Sequence, residues 1–321
     1  MKSLTIKLYK ASNFSYTPFN DYMDGDLNYL NNNNIVIVAK PSEADIIISQ
    51  NFKHLRNHFW RTLFGKKFLI WTIEPRFNTS FKKNKNYFFG LFKCSFMNIY
   101  TQDIFVSNIS VHCKIINEKL ISLPSTFQIS SNKIISLMSY YSGVNADSLY
   151  KNGENIDLIA LRSRIAIEGS KENIIDVYGK GWPEGISKED SRDGDWRTSK
   201  KIILDNYNFN LCFENTASPN YMTEKIWDSI ENYCLPIYYA KNTNAYQIFP
   251  KDSFIDYSDF NKPQELFDFV LNISNEEFIR RMNRCIEVYN SISIQGETLV
   301  KSERKKTLDR IVERINEITH N

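Results

Sequence analysis

The stretch "FNLCFENTASPNYMTEKIWDSIENYCLPIYYA" (209–240) decides how this chain is read. It opens with a short apolar run, Phe209 to Phe213, the pattern of a buried strand. Thr223 stands where a helix N-cap belongs, and Ile226, Ile230 and Cys234 follow at helical spacing. The run "LPIYYA" (235–240) then returns to strand chemistry. Strand, helix and strand in succession make a βαβ unit, which implies parallel strands. Between the first strand and the helix lie Glu214, Asn215, Tyr221, Glu224 and Lys225, more polar groups than a turn needs. In a parallel sheet this is the carboxyl edge, beside a helix N-terminus, where ligands bind.

The same alternation extends in both directions. "LTIKLY" (4–9), "IVIVA" (35–39), "ADIIIS" (44–49), "KFLIWTIE" (67–74) and "LISLPS" (120–125) read as strands in the first half. In the second half "IDLIAL" (156–161), "IIDVYG" (174–179) and "SFIDYS" (253–258) do so. Helices are expected over 162–173, interrupted by Gly169, and over 197–207, 223–234 and 263–273. Ser274 and Glu277 form a capping box with Ile273 and Phe278 as its hydrophobic staple, so another helix starts there. A last amphipathic helix spans 302–319. The expected fold class is α/β, with two doubly wound, Rossmann-like domains facing across a cleft. The boundary is placed within 139–155, giving domains 1–150 and 151–300 and a C-terminal amphipathic helix, 301–321. The cleft is the default site.

Bulk composition narrows the function classes. The 321 residues are 42% hydrophobic and 14% aromatic, which excludes a disordered chain. A net charge of +3 is too small for a dedicated nucleic-acid binder. Five scattered cysteines with no Cys-x-x-Cys pair read as buried free thiols of a reducing compartment. His54 and His58 share helical spacing but lack a third ligand for a metal. Two Asp-Gly-Asp triplets, at 24–26 and 193–195, have the composition of turns, although Asp-x-Asp also serves Mn²⁺ in some glycosyltransferases. The N-terminus lacks the apolar core of a signal peptide, and no run reaches the ~18 apolar residues of a membrane span. The expectation is a cytoplasmic protein. Its basic last helix keeps two uses open: packing against the body, or peripheral contact with the inner face of a membrane.

Within the opening stretch, Glu224 suits the first turn of a helix, whereas Lys225 does not, because a cation there opposes the helix dipole. An anion bound at the helix start would reconcile it. Arg162 and Arg164 follow the expected strand 156–161 and bring more positive charge to the same edge. Together these cations have the makings of a diphosphate clamp.

These residues carry a resemblance. The stretch 209–240, with its Phe-Glu-Asn-Thr segment, Tyr221 six residues beyond Asn215, and Thr223-Glu224-Lys225, resembles the donor-binding motif of the α-1,3-fucosyltransferases, glycosyltransferase family 10. "PKDSFI" (250–255) continues the likeness, which covers about 160–260. The resemblance implies a GT-B-like fold and inverting transfer of L-fucose from GDP-fucose to O3 of GlcNAc in a β-galactoside-containing glycan. The acceptor would be LacNAc-like or a lipopolysaccharide O-antigen, giving a Lewis-type product. It implies that Arg164, twelve residues before Asp176, and Lys225 hold the diphosphate, and that Asn215, Tyr221 and Glu224 contact the donor. It also implies that Glu74, ending an apolar strand, is the general base, although Pro75 replaces the usual Ser or Asn. On this reading no metal or other cofactor is required and Mn²⁺ dependence is not expected. Two alternatives remain: another nucleotide-sugar donor on the same scaffold, and a non-catalytic binder of glycans or, given the basic, aromatic run 81–93, of nucleic acid.

Overall fold

The computed structural model describes residues 5–13, 17–107, 118–142, 148–189 and 196–320. The second Asp-Gly-Asp triplet, His112, Cys113 and part of the expected linker lie outside the described residues. The chain divides into two compact units, one of residues 1–111 with 300–321 and one of residues 112–299.

The first unit is built on a six-stranded sheet. Its strands are β1 (Ile6–Lys10), β2 (Ile35–Val38), β3 (Ile46–Ser49), β4 (Lys67–Thr72), β5 (Asn84–Tyr87) and β6 (Phe92–Asn98), in the order β2-β1-β3-β4-β6-β5. All pairings are parallel except β5 with β6. β3 is buried along its whole length, as the unbroken "IIIS" run requires of a central parallel strand. Helix α1 (Asp26–Asn32) joins β1 to β2, and the short helix α2 (Phe52–Leu55) follows β3. Asp26, the last residue of the first Asp-Gly-Asp triplet, is 1% exposed and accepts a 2.8 Å hydrogen bond from Arg304 Nε. The triplet therefore starts a helix and anchors the C-terminal segment.

The second unit carries a five-stranded sheet. It comprises β7 (Ile134–Leu137), β10 (Ile175–Tyr178), β11 (Phe209–Leu211), β12 (Leu235–Tyr238) and β13 (Ile255–Asp256). β8 (Tyr150–Lys151) and β9 (Glu154–Asn155) form a separate two-stranded ribbon. The sheet order is β10-β7-β11-β12-β13, and every pairing is parallel. Counted along the chain this is 2-1-3-4-5, a doubly wound order whose switch point lies between β7 and β11. Its helices are α3 (Ile159–Lys171), α4 (Trp196–Leu204), α5 (Glu224–Glu231), α6 (Ala245–Ile248) and α7 (Pro263–Asn272). A long helical run, α8 (Asn275–His320), breaks at Gly296 and passes into the first unit. Ser274 Oγ accepts from Glu277 N at 3.2 Å, so the expected cap is present at its start.

The expected α/β class with two doubly wound units is what the chain forms. Several expected elements change. The division falls at 111/112 and not near 150, so β7 belongs to the second unit. "LISLPS" (120–125) forms no strand. Side chains serve its backbone instead: Asn290 Oδ1 accepts from Leu120 N and Asn283 Oδ1 from Leu123 N. The strand expected at 156–161 is the entry to helix α3, whose first amides donate to the Asp157 carboxylate at 3.1 and 3.3 Å. Gly169 does not interrupt that helix. A Cβ there would lie 2.4 Å from Ile175 Cγ1, so glycine is what lets α3 sit on β10. The last helix packs within the first unit, with Leu308, Ile311, Ile315 and Ile318 buried, so its apolar stripe is not available to a membrane.

Candidate functional site

The carboxyl edge of the second sheet is assembled by close approach of two strand ends. Beyond β10, Gly179 has φ +138° and a Cβ on it would lie 2.2 Å from Met138 O, a position only glycine occupies. Met138 N donates to Tyr178 O at 3.0 Å and Trp182 Nε1 donates to Met138 O at 2.8 Å. The "DVYGKGW" turn thus fixes the segment leaving β7, at one lip of the switch point.

The other lip is the segment from β11 to α5. Glu214, 2% exposed, is its centre. Its carboxylate accepts from Thr223 N at 2.6 Å, from Thr223 Oγ1 at 2.9 Å and from Lys225 Nζ at 3.0 Å. Lys225 Nζ also donates to Thr223 Oγ1 at 2.6 Å and lies 3.7 Å from Glu224. Thr223 precedes the helix as expected, but its hydroxyl serves Glu214 in place of a conventional cap. Helix α5 is tied to β11 from beneath, where Asn210 Nδ2 donates to Ser229 Oγ at 2.6 Å and that hydroxyl donates to Lys225 O at 2.9 Å.

This network explains the misplaced lysine differently from the sequence argument. The anion beside Lys225 is the chain's own Glu214. Burial works against the ammonium, but Glu214 and then Glu224 outweigh it and hold Lys225 well above the usual lysine range. Lys225 is therefore a permanent, oriented cation at a helix start, with 28% of its side chain still exposed.

A small pocket of about 20 Å³ opens at the switch point, lined by Leu137, Met138, Arg162, Lys200, Phe213 and Lys225 among others. Arg162 is 5% exposed, and its guanidinium donates to Phe213 O at 3.2 Å. Lys200 reaches the pocket from α4 and pairs with Asp228. Cys212, also on the pocket wall, is a buried thiol whose pKa burial pushes up to about 12, so it stays protonated and unreactive.

Of the expected donor residues, Lys225 lines this pocket and Arg164 does not. Arg164 lies 4.0 Å from Glu168 on the outer face of α3, its side chain 57% exposed. The cause is helical geometry: two residues along a helix turn a side chain by about 200°. Arg162 thus faces the pocket, while Arg164 reaches Glu168 and also Tyr257, just past the carboxyl end of β13. Asn215 accepts from Leu158 N through its backbone oxygen at 3.0 Å, holding the segment after β11 against the start of α3. Tyr221 is buried at 6% exposure, and Glu224 is half-buried in the first turn of α5.

Glu74 belongs to the first unit, just past the carboxyl end of β4. It is partly exposed, and its amide donates to Thr72 Oγ1 at 3.1 Å, which folds the chain sharply off the strand. At the opposite edge of that sheet, Lys66, Lys67, Lys93 and Arg314 line a cavity of about 230 Å³ with Glu317. That edge holds strand starts, not strand ends. Among the described residues no group of three His, Cys, Asp or Glu is placed to hold a metal.

Residues 154–298 match the model for the C-terminal domain of glycosyltransferase family 10 (fucosyltransferase). The matched span lies within the second unit. A 4-galactosyl-N-acetylglucosaminide 3-alpha-L-fucosyltransferase of Hylobates lar is 32% identical over 107 residues, 32% of this chain and 25% of that protein. An alpha-(1,3)-fucosyltransferase of Helicobacter pylori is 40% identical over 72 residues, 22% of this chain and 15% of that protein. The chain thus matches a quarter or less of the length of these two relatives. A crystal structure of an alpha1,3-fucosyltransferase superposes with a TM-score of 0.48 at 14% identity, over 96% of this chain and 91% of that one. A second, of an alpha1,3-fucosyltransferase with GDP-fucose, has a TM-score of 0.44 at 17% identity, over 88% and 83%. The matched span contains every expected donor residue, and Glu74 lies outside it.

Sequence reasoning missed Glu214 as an organiser and Arg162 as the inward arginine. Signals for both were present. Glu214 lies where β11 ends, one helix entry away from a lysine that needs an anion. Asp157, two residues before Ile159, marks the start of a helix whose register turns Arg162 inward.

Proposed function

We propose that the protein is an inverting α-1,3-fucosyltransferase using GDP-fucose as donor and a GlcNAc-containing glycan hydroxyl as acceptor. The observation that carries this reading is the pairing of Arg162 and Lys225 in one pocket at the switch point of a family 10 domain. Two fixed cations beside the N-terminus of α5 suit a diphosphate. Glu214 keeps Lys225 in place, so little reorganisation is needed as charge develops on the leaving group. Asn215, Tyr221 and Glu224, on the same segment, would contact the ribose and sugar.

In the reaction the bond between fucose C1 and the β-phosphate oxygen breaks as the acceptor oxygen bonds to C1 from the opposite face. The acceptor proton passes to Glu74, a partly exposed residue just past a strand end. GDP departs with its diphosphate charge balanced by Arg162 and Lys225. Metal ions are not required by this scheme, since the cations it needs are side chains.

The deciding experiment is a panel of nucleotide sugars titrated by calorimetry, with GDP release followed in the presence of N-acetyllactosamine. The reading requires GDP-fucose to bind and turn over in preference to the others. Turnover with another donor would keep the scaffold and replace the substrate. Binding of the glycan with no turnover of any donor would make the chain a glycan-binding module.

A further inference from the structure

The first unit carries a surface that donor chemistry does not use. Residues Arg56–Phe64 form a 3₁₀ segment leading to β4, and Phe88–Gly90 form the turn leading into β6. The two pack on a shared aromatic layer: Phe59 lies 5.5 Å from Phe88 and 3.7 Å from Phe92 between ring centroids. Their outer side is apolar too. Trp60, Leu63, Phe64, Phe88, Phe89 and Leu91 are all more than half exposed, Leu63 at 87% and Phe89 completely. Six such groups on two adjoining segments exceed the scattered apolar residues of an ordinary surface. Phe88 and Phe89 have φ of +48° and +56°, a backbone that bulky side chains rarely adopt, and it is spent on holding these rings in solvent.

The chain around this patch is basic, with Glu317 the acid that lines the neighbouring cavity. Residues 51–93 contain ten Lys and Arg and a single acid, Glu74. Lys53, Arg56, Lys85 and Lys93 are exposed, and the Arg61 guanidinium lies 4.3 Å above the Trp60 ring. We infer that this face docks the protein onto an anionic lipid membrane, the rings and Leu63 entering the headgroup–acyl boundary and the cations meeting lipid phosphates. A second copy of the same face would repel it. A nucleic acid could stack on the aromatics but would leave Leu63 and Leu91 in water. The patch lies toward the start of β4 and Glu74 just past its end, about 20 Å away along the strand. Docking here therefore leaves the Glu74 edge open. The inference does not depend on the identity of the donor.

The test is co-sedimentation of the full chain with phosphatidylglycerol/phosphatidylcholine vesicles and with pure phosphatidylcholine vesicles. Partitioning should fall about tenfold or more in the neutral vesicles or at high salt. The double variant Leu63→Ser, Phe89→Ser should lose about tenfold on the anionic vesicles with its far-UV circular dichroism unchanged, because both side chains are exposed. The pair Lys305→Ser, Arg310→Ser on α8 should bind like the parent. Undiminished binding by the Leu63/Phe89 variant would overturn the proposal. So would loss of binding confined to the α8 variant, self-association abolished by Leu63→Ser, or binding of an oligonucleotide in the absence of vesicle binding.

Discussion

The two sheets share the core order 2-1-3-4 and differ in what they place at their carboxyl edges. In the second unit that edge is crowded: a glycine crossing at 179, a buried carboxylate at 214 and two cations, Arg162 and Lys225, around one pocket. In the first unit Glu74 stands there just beyond a single strand, and Lys66, Lys67, Lys93 and Arg314 gather at the other edge. One core order thus supports an edge with a buried ion cluster and an edge with a partly exposed carboxylate, and the loops make the difference. Donor affinity should be a property of the second unit, and proton abstraction of the first.

The sharpest way to break this comparison is Glu74→Gln. Loss of the base should lower kcat by about 10²- to 10⁴-fold with GDP-fucose affinity unchanged. A weakened donor affinity with kcat preserved would place Glu74 among the binding groups. Arg162→Ala should act the other way, weakening GDP-fucose binding in calorimetry by about 10- to 100-fold, the worth of a charged hydrogen bond. Lys225→Gln, which keeps a donor toward Glu214 but removes the charge, should do the same. Unchanged affinity in both variants would dissolve the clamp.

A smaller effect concerns the glycine-bounded strand β10. Asp176, 7% exposed, accepts from Tyr207 OH at 2.7 Å and pairs with Lys188 at 2.7 Å and Lys133 at 3.2 Å. Burial favours its neutral form, but Lys188, Tyr207 and Lys133 together hold the carboxyl below its usual range. Its folded pKa is therefore the lower one. The stability it contributes is present above the unfolded value of about 3.9 and lost as pH falls through the folded value. Asp176→Asn should cost about 1–3 kcal/mol in urea unfolding at pH 7, the two lysines being partly exposed to solvent. The gap from the parent should close as the pH is lowered below about 4. A gap independent of pH would mean that the side chain acts by shape alone. Smallest of all, Arg164→Ala should change donor affinity less than about twofold, since an exposed i,i+4 pair is worth only a few tenths of a kcal/mol. A large loss there would restore Arg164 and remove Arg162.

Much of this was legible in the residues. The unbroken "IIIS" and "KFLIWT" runs have the composition only of buried parallel strands, and the 209–240 stretch folds as read. The failures share a cause. "IDLIAL" is apolar at nearly every position, so it lacks the period that separates a buried strand from a buried helix start. Taking it as a strand left both arginines in a loop, where nothing distinguishes 162 from 164. β7 escaped notice because four residues between "SSNK" and "MSYY" carry little pattern, and its identity comes from neighbours on both sides. Glu214 escaped because its function lies in three partners gathered only when the chain folds back on itself.

The Asp26–Arg304 contact has a consequence for how the molecule is made. Its partners are 278 residues apart in the chain, and both belong to the unit that begins the sequence. At ribosomal speeds of about 5–20 residues per second, the Asp26 carboxylate waits roughly 15 to 55 seconds for its guanidinium. The second unit is translated before the first has its last helix. Biosynthesis therefore runs opposite to sequence order: the unit translated first is the unit finished last.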